Sequence, residues 1–161
     1  MKKYFLLPII ALLFSTTLLA KGVTVFIDLS PAGSFEAKAK SVKGKAVVKG
    51  DSVVAENLTV SVKKLKTGLD LRDDHLKKKL NSKKYPKIKM VKAVGKGGKG
   101  TALFDIRGVK GKVPFTYKKV DSKYMKADFK INLKKFKFEG IKYMGVGVKD
   151  NVRIEAFIRY K

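Results

Sequence analysis

The sequence predicts an all-β domain of about eight antiparallel strands, arranged as a sandwich or a closed barrel, with one short helical segment near one end. Three observations carry that expectation. Apolar residues recur at every second position through most of the chain, turn-forming residues interrupt the runs at short intervals, and a single stretch, Leu65 to Met90, departs from the pattern.

Val23, Val25 and Ile27 open the alternation, and Phe35, Ala37 and Ala39 continue it with Glu36, Lys38 and Lys40 on the other face. Leu58, Val60 and Val62 follow, then Ile88 and Met90, then Ala102, Phe104 and Ile106. Val113, Phe115 and Tyr117 precede Phe129, Ile131 and Leu133, and Val152 to Tyr160 closes the chain. Turn signals separate these runs at Ser30-Pro31-Ala32-Gly33, Gly50-Asp51, Gly95 to Gly100, Gly108 to Gly111, Asp121-Ser122 and Lys149-Asp150-Asn151. Links this short favour antiparallel neighbours. Closure into a barrel would remove the exposed sheet edges.

The exceptional stretch reads as the end of a strand at Thr67-Gly68, a helical segment from Leu69 to Asn81, and the start of the next strand after Tyr85-Pro86. It gathers Arg72, Asp73, Asp74 and the only histidine, His75. On a helix Arg72 and His75 share a face, while Leu76 and Leu80 form a short apolar edge. Arg72 could pair with Asp73 or a strand carboxylate and pin the segment over one end of the sheet. The same cluster could instead hold the polar head of a ligand.

Composition bounds the rest. The 161 residues suit one domain, and 45% apolar content is enough for a core. Residues 1–20 read as a signal peptide: Lys2 and Lys3 lead an apolar run from Tyr4 to Leu19 that ends at Ala20, leaving 21–161 as the domain. The absence of cysteine excludes disulfides and a lipid-modified cysteine anchor. The formal charge is +25, of which Lys2 and Lys3 contribute two, so an attraction to anionic surfaces follows. Nucleic acid is not the expected partner: the cations are spread along strands, and 34 Lys against 4 Arg is the wrong balance for reading bases.

Catalysis has little material. His75 has no cysteine to act with, no serine lies in a G-x-S-x-G context, and adjacent Asp73, Asp74 and His75 diverge around a helix rather than converging on a metal. The GKGGKGT run at Gly95 to Thr101 has the spacing of a phosphate loop but carries Thr101 where that motif needs lysine. It lies between strands, as a hairpin would. The expectation is therefore a binding protein, with no cofactor, no metal and no catalytic residues.

Three segments in order resemble one family. They are Thr67-Gly68 with Arg72-Asp73, His75-Leu76 and Tyr85-Pro86; Ile106-Arg107-Gly108-Val109 with Val113-Pro114-Phe115; and Phe138-Glu139-Gly140-Ile141 with Val146 to Asp150 and the last strand. The combination is similar to the YceI-like family of exported polyisoprenoid-binding proteins. The resemblance implies a lipocalin-like antiparallel β-barrel, periplasmic or secreted, that holds a long-chain isoprenoid or similar amphiphilic lipid in its apolar interior. Alternation points Phe35, Val60, Val62, Ile88, Met90, Phe104, Ile106, Phe115, Phe129, Ile131, Ile154 and Ile158 inward, as the lining of a ligand space or simply as core, and the resemblance puts the segment with Arg72, Asp73 and His75 near the pocket, at its mouth. The alternatives are a filled barrel that binds polyanions through its lysines, or an enzyme acting on isoprenoid quinones or their precursors with His75 as acid or base; in the carrier reading the outer lysines could add peripheral contact with an anionic membrane. The oligomeric state is left open, a homodimer included.

Overall fold

Alternation this regular leaves each strand one apolar face to bury, and the sheet buries them by curling around itself. A computed structural model of the protein describes residues 21–143 and 145–161, so the expected signal segment lies outside the described residues. The strands are β1 (Val23–Ser30), β2 (Ser34–Ala39), β3 (Ala46–Lys49), β4 (Ser52–Ser61), β5 (Lys87–Lys96), β6 (Lys99–Ile106), β7 (Val109–Lys119), β8 (Tyr124–Asn132), β9 (Lys142–Tyr143), β10 (Val146–Val148) and β11 (Asn151–Arg159). One helix, α1 (Asp70–Lys79), lies between β4 and β5.

The sheet runs β3-β4-β5-β6-β7-β8-β11-β1, with β2 on the far side of β1 and the short β10-β9 pair beside the end of β1. Every strand pairing is antiparallel. Residues 34–49 close it by acting as one bent strand. Their first part pairs with β1, and their later part runs along β4 through the bridges Lys38 to Lys66 and Lys43 to Thr59 and the β3 pairing Ala46 to Ala55. Ala46 also bridges Tyr160 in parallel, and Val48 N–H donates to the Lys161 carbonyl at 2.9 Å. With β2 and β3 counted as one, this gives the eight staves expected, and closure leaves little edge unpaired.

The boundaries differ from expectation in instructive places. Thr67-Gly68 does not end a strand, because β4 stops at Ser61 and a 3-10 turn at Val62–Lys64 buries Val62 and Leu65 beneath the helix. The expected Phe129–Leu133 strand falls in the later half of β8, which begins at Tyr124 and ends at Asn132, and Leu133 already starts the following 3-10 turn. The glycine run is a hairpin: Gly97 and Gly98 take φ of 58° and 81°, the double left-handed turn that suits the twist of the paired strands.

Strand directions define two ends. The β3–β4, β5–β6 and β7–β8 turns gather at one, here the turn end; α1, the β6–β7 turn and the segment joining β8 to β11 gather at the other, the helix end. Two apolar clusters divide the interior the same way. The helix-end cluster includes Val62, Leu65, Leu80, Ile106, Ile131, Phe136, Phe138 and Ile154; the turn-end cluster includes Ala46, Val53, Ala55, Leu58, Met90, Ala93, Ala102 and Met125.

Candidate functional site: an apolar hollow at the turn end

Side-chain size decides which half of the barrel is filled. At the helix end, branched and aromatic residues pack to near-complete burial, with Phe136 and Val62 each 1% exposed. At the turn end the register brings Ala46, Ala55, Ala93 and Ala102 into one cross-strand row over β3, β4, β5 and β6, all facing inward. Ala127 pairs with Ala156 on the facing wall. Methyl groups at six positions where β-branched residues would reach the axis leave a hollow of about 90 Å³.

The walls are wholly apolar. Val23, Val42, Val53, Leu58, Val60, Ile88, Met90, Phe104, Phe115, Met125, Phe129 and Ile158 complete the lining with the alanines, and no polar or charged side chain contributes. Phe104 packs against both clusters, and its ring lies 5.1 Å from that of Phe129, so the two form a floor between hollow and packed core. At the rim Gly95 faces Gly100 across β5 and β6. A Cβ on Gly95 would lie 2.7 Å from the Tyr117 ring, and one on Gly100 would lie 2.5 Å from the Phe115 ring, so only glycine lets these rings lie on the sheet. The Tyr117 hydroxyl donates to the Asp51 carbonyl at 2.9 Å, and the Tyr160 hydroxyl to the Asp121 carbonyl at 2.8 Å. Both tyrosines thus tie turns together where the hollow ends. Around them stand exposed Lys49, Lys96, Lys99, Lys119, Lys123 and Lys161.

The polar cluster lies elsewhere. Asp73 is 2% exposed and accepts from Thr67 N–H at 2.7 Å and Thr67 Oγ1 at 2.8 Å, with Lys66 Nζ 3.0 Å away. The Thr67 backbone bond leads in holding its carboxyl down to about 2, with the Thr67 hydroxyl and Lys66 adding to it against the opposing effect of burial. Arg72 does not pair with Asp73; its guanidinium lies 4.2 Å over the Phe35 ring. His75 is half-buried on the same helix. Leu76 and Leu80 seat α1 on the helix-end cluster. Arg107, in the β6–β7 turn, fastens the cover by donating to the Lys79 carbonyl at 2.8 Å and the Lys137 carbonyl at 3.1 Å while stacking 4.4 Å over Phe138.

Of the interior residues expected from sequence, Val60, Ile88, Met90, Phe104, Phe115, Phe129 and Ile158 line the hollow. Phe35, Val62, Ile106, Ile131 and Ile154 belong to the packed cluster. Arg72, Asp73 and His75 do not line it, and the helix that carries them covers the opposite end. The residues that sequence reasoning missed are chiefly the alanines at 46, 55, 93 and 127. The available signal was small size at alternating strand positions, which a single strand cannot distinguish from filler.

The sequence matches the model of the YceI-like domain over residues 20–160. No curated protein sequence matches it. Among solved structures it is similar to BcnA of Burkholderia cenocepacia, with TM-score 0.62, 19% identity, and coverage of 86% of this chain and 94% of that one. It is also similar to a polyisoprenoid-binding domain from Saccharophagus degradans implicated in plant cell wall breakdown, with TM-score 0.59, 10% identity, and coverage of 86% and 91%. A cysteine variant of the CJ YceI protein aligns with TM-score 0.52 at 21% identity, covering 78% and 84%. At these identities the likeness is one of fold.

Proposed function

This chain belongs to the YceI-like domain family, and from that premise we propose that it is an exported lipid-binding protein that takes an isoprenoid or similar long apolar chain into the turn end of its barrel. The observation that carries this reading is the hollow itself, an all-apolar space kept open by alanines in a barrel otherwise packed to its axis. The description of one similar structure as a polyisoprenoid-binding domain supports the ligand class. The basic-then-apolar run at residues 1–20 supports export to a periplasm or outside the cell.

The mechanism is burial, not reaction. Each methylene drawn from water into such a lining contributes about 0.8 kcal/mol before ordering costs. A volume of about 90 Å³ equals the liquid share of about three waters, so it seats only the first few carbons of a chain. A longer chain advances by displacing the Phe104 and Phe129 rings, which lie 5.1 Å apart and pack against the helix-end cluster. On this reading the head group stays at the rim among Tyr117, Tyr160 and the surrounding lysines. Asp73 is already satisfied by Thr67 and Lys66 and has no acceptor capacity directed at the hollow. Carriage or storage of the lipid is the corresponding role.

Native mass spectrometry and lipid extraction of protein isolated from its own cell envelope test the proposal. A copurifying long-chain lipid that competes with a fluorescent fatty probe is the expected result. No bound lipid, together with no probe binding, refutes it. Binding that vanishes with salt and ignores the apolar chain would instead indicate a polyanion-binding barrel.

A further inference from the structure

The strands that wall the hollow carry a second apolar feature on their outer face. Val47, Val54, Val94, Thr101 and Pro114 are successive cross-strand partners from β3 to β7. Alternation turns them outward because Ala46, Val53, Ala93, Ala102 and Val113 beside them face in. Val94 is 51% exposed and Val54 40%, and Thr101 and Pro114 are exposed as well. At about 4.8 Å per strand the row crosses roughly 19 Å of barrel surface.

The rows on either side are cationic. Lys49, Lys96 and Lys99 lie toward the turns, and Lys92 and Lys112 lie toward the helix end, all exposed. Glu56 and Asp51 are the carboxylates among them, 3.8 Å from Lys92 and 3.9 Å from Lys96. The result is an apolar band in a basic frame.

That combination selects among partners. A second copy of this face would set lysine rows against lysine rows, a like-charge arrangement that disfavours docking. A hydrated polyanion satisfies the lysines but leaves the valines in water. An anionic bilayer meets both, since lysines contact the head groups while short apolar side chains reach the boundary beneath them. We infer that the outer face of β3 to β7 docks the barrel on an anionic lipid bilayer. The inference stands whatever fills the hollow.

The chain has no tryptophan, so Val94→Trp in the full chain places a single reporter in the band. Emission should shift to the blue with vesicles of phosphatidylglycerol mixed with phosphatidylcholine and be quenched by brominated lipid. It should not change with phosphatidylcholine alone, and the shift should reverse at high salt. Lys96→Ala and Lys99→Ala in that background should each weaken vesicle affinity about five-fold, equivalent to about 1 kcal/mol per lysine. Arg153→Trp, exposed on the outer face of β11 between β8 and β1 and so across the barrel from β5, should report no insertion. Attachment through the apolar run at residues 4–19 would leave the strand reporter unchanged, so it cannot mimic the result. Thr101→Trp repeats the measurement if Val94→Trp fails to fold. An unchanged Val94→Trp spectrum, an equal shift at Arg153→Trp, a shift produced by DNA without lipid, or a shift that grows with protein concentration alone would overturn the inference.

Discussion

Replacing Ala93 with leucine should raise stability and abolish ligand binding together, an unusual pairing that follows from the hollow. Ala93 sits at the centre of the four-alanine row and lines the cavity. Leucine adds three heavy atoms, and a space of about 90 Å³ corresponds to about three at the volume of liquid water. Cavities cost about 24 cal/mol per Å³, so complete filling would stabilise the protein by up to about 2 kcal/mol, or several degrees in Tm for a domain of this size. The same substitution at Ala37, 1% exposed in the packed helix-end cluster, has no space to fill and should cost about 1–3 kcal/mol through overpacking. Thermal and denaturant unfolding measure the first effect, and displacement of a fluorescent fatty probe measures the second. If Ala93→Leu binds the probe as well as the parent, the hollow is not the seat of the ligand. If it destabilises as much as Ala37→Leu, the space is not there to be filled.

Two other perturbations test the helix end. Asp73 has its carboxyl lowered from 3.8 to about 2, so its contribution to stability is present above about pH 4 and is lost as pH falls through about 2. Asp73→Asn should therefore flatten the acid limb of the stability profile in that window, measured by unfolding at a series of pH values; an unchanged slope would mean another group sets it. Arg107→Ala should loosen the cover by about 1–2 kcal/mol, because it strips the Lys79 and Lys137 carbonyls of a charged donor and Phe138 of its stacked cation. Hydrogen exchange should then quicken in α1 and the 134–138 segment while probe affinity holds, and Arg107→Lys should restore little, since one ammonium cannot bond both carbonyls and stack. Faster exchange in β4 and β5 instead would show that the hollow depends on the cover.

Much of the architecture was legible because the strand period is local. Val23 to Ile27, Ala102 to Ile106 and Val152 to Tyr160 each announce an inward face within a few residues, and Leu76 with Leu80 announces the helix edge. β3, β9 and β10, at four, two and three residues, are too short to display a period, and they form because longer neighbours offer them an edge. The candidate site was legible in part. Seven of the expected interior residues line the hollow, while Val62, Ile131 and Ile154, identical to them in pattern, lie in solid core.

The sequence by itself determined the fold class, the eight inward faces, the helical interruption and the basic exterior, since each depends on residues close in the chain. It also carried the family pattern, because that pattern is an order of short motifs. Only the tertiary structure decided where the barrel is empty and which end the helix covers. Ala46, Ala55, Ala93 and Ala102 become a wall through inter-strand register, and Arg72, Asp73 and His75 are carried away from it by the direction in which β4 runs before the chain turns. Register and direction are settled by hydrogen bonds between strands, and the free volume they leave belongs to no single segment.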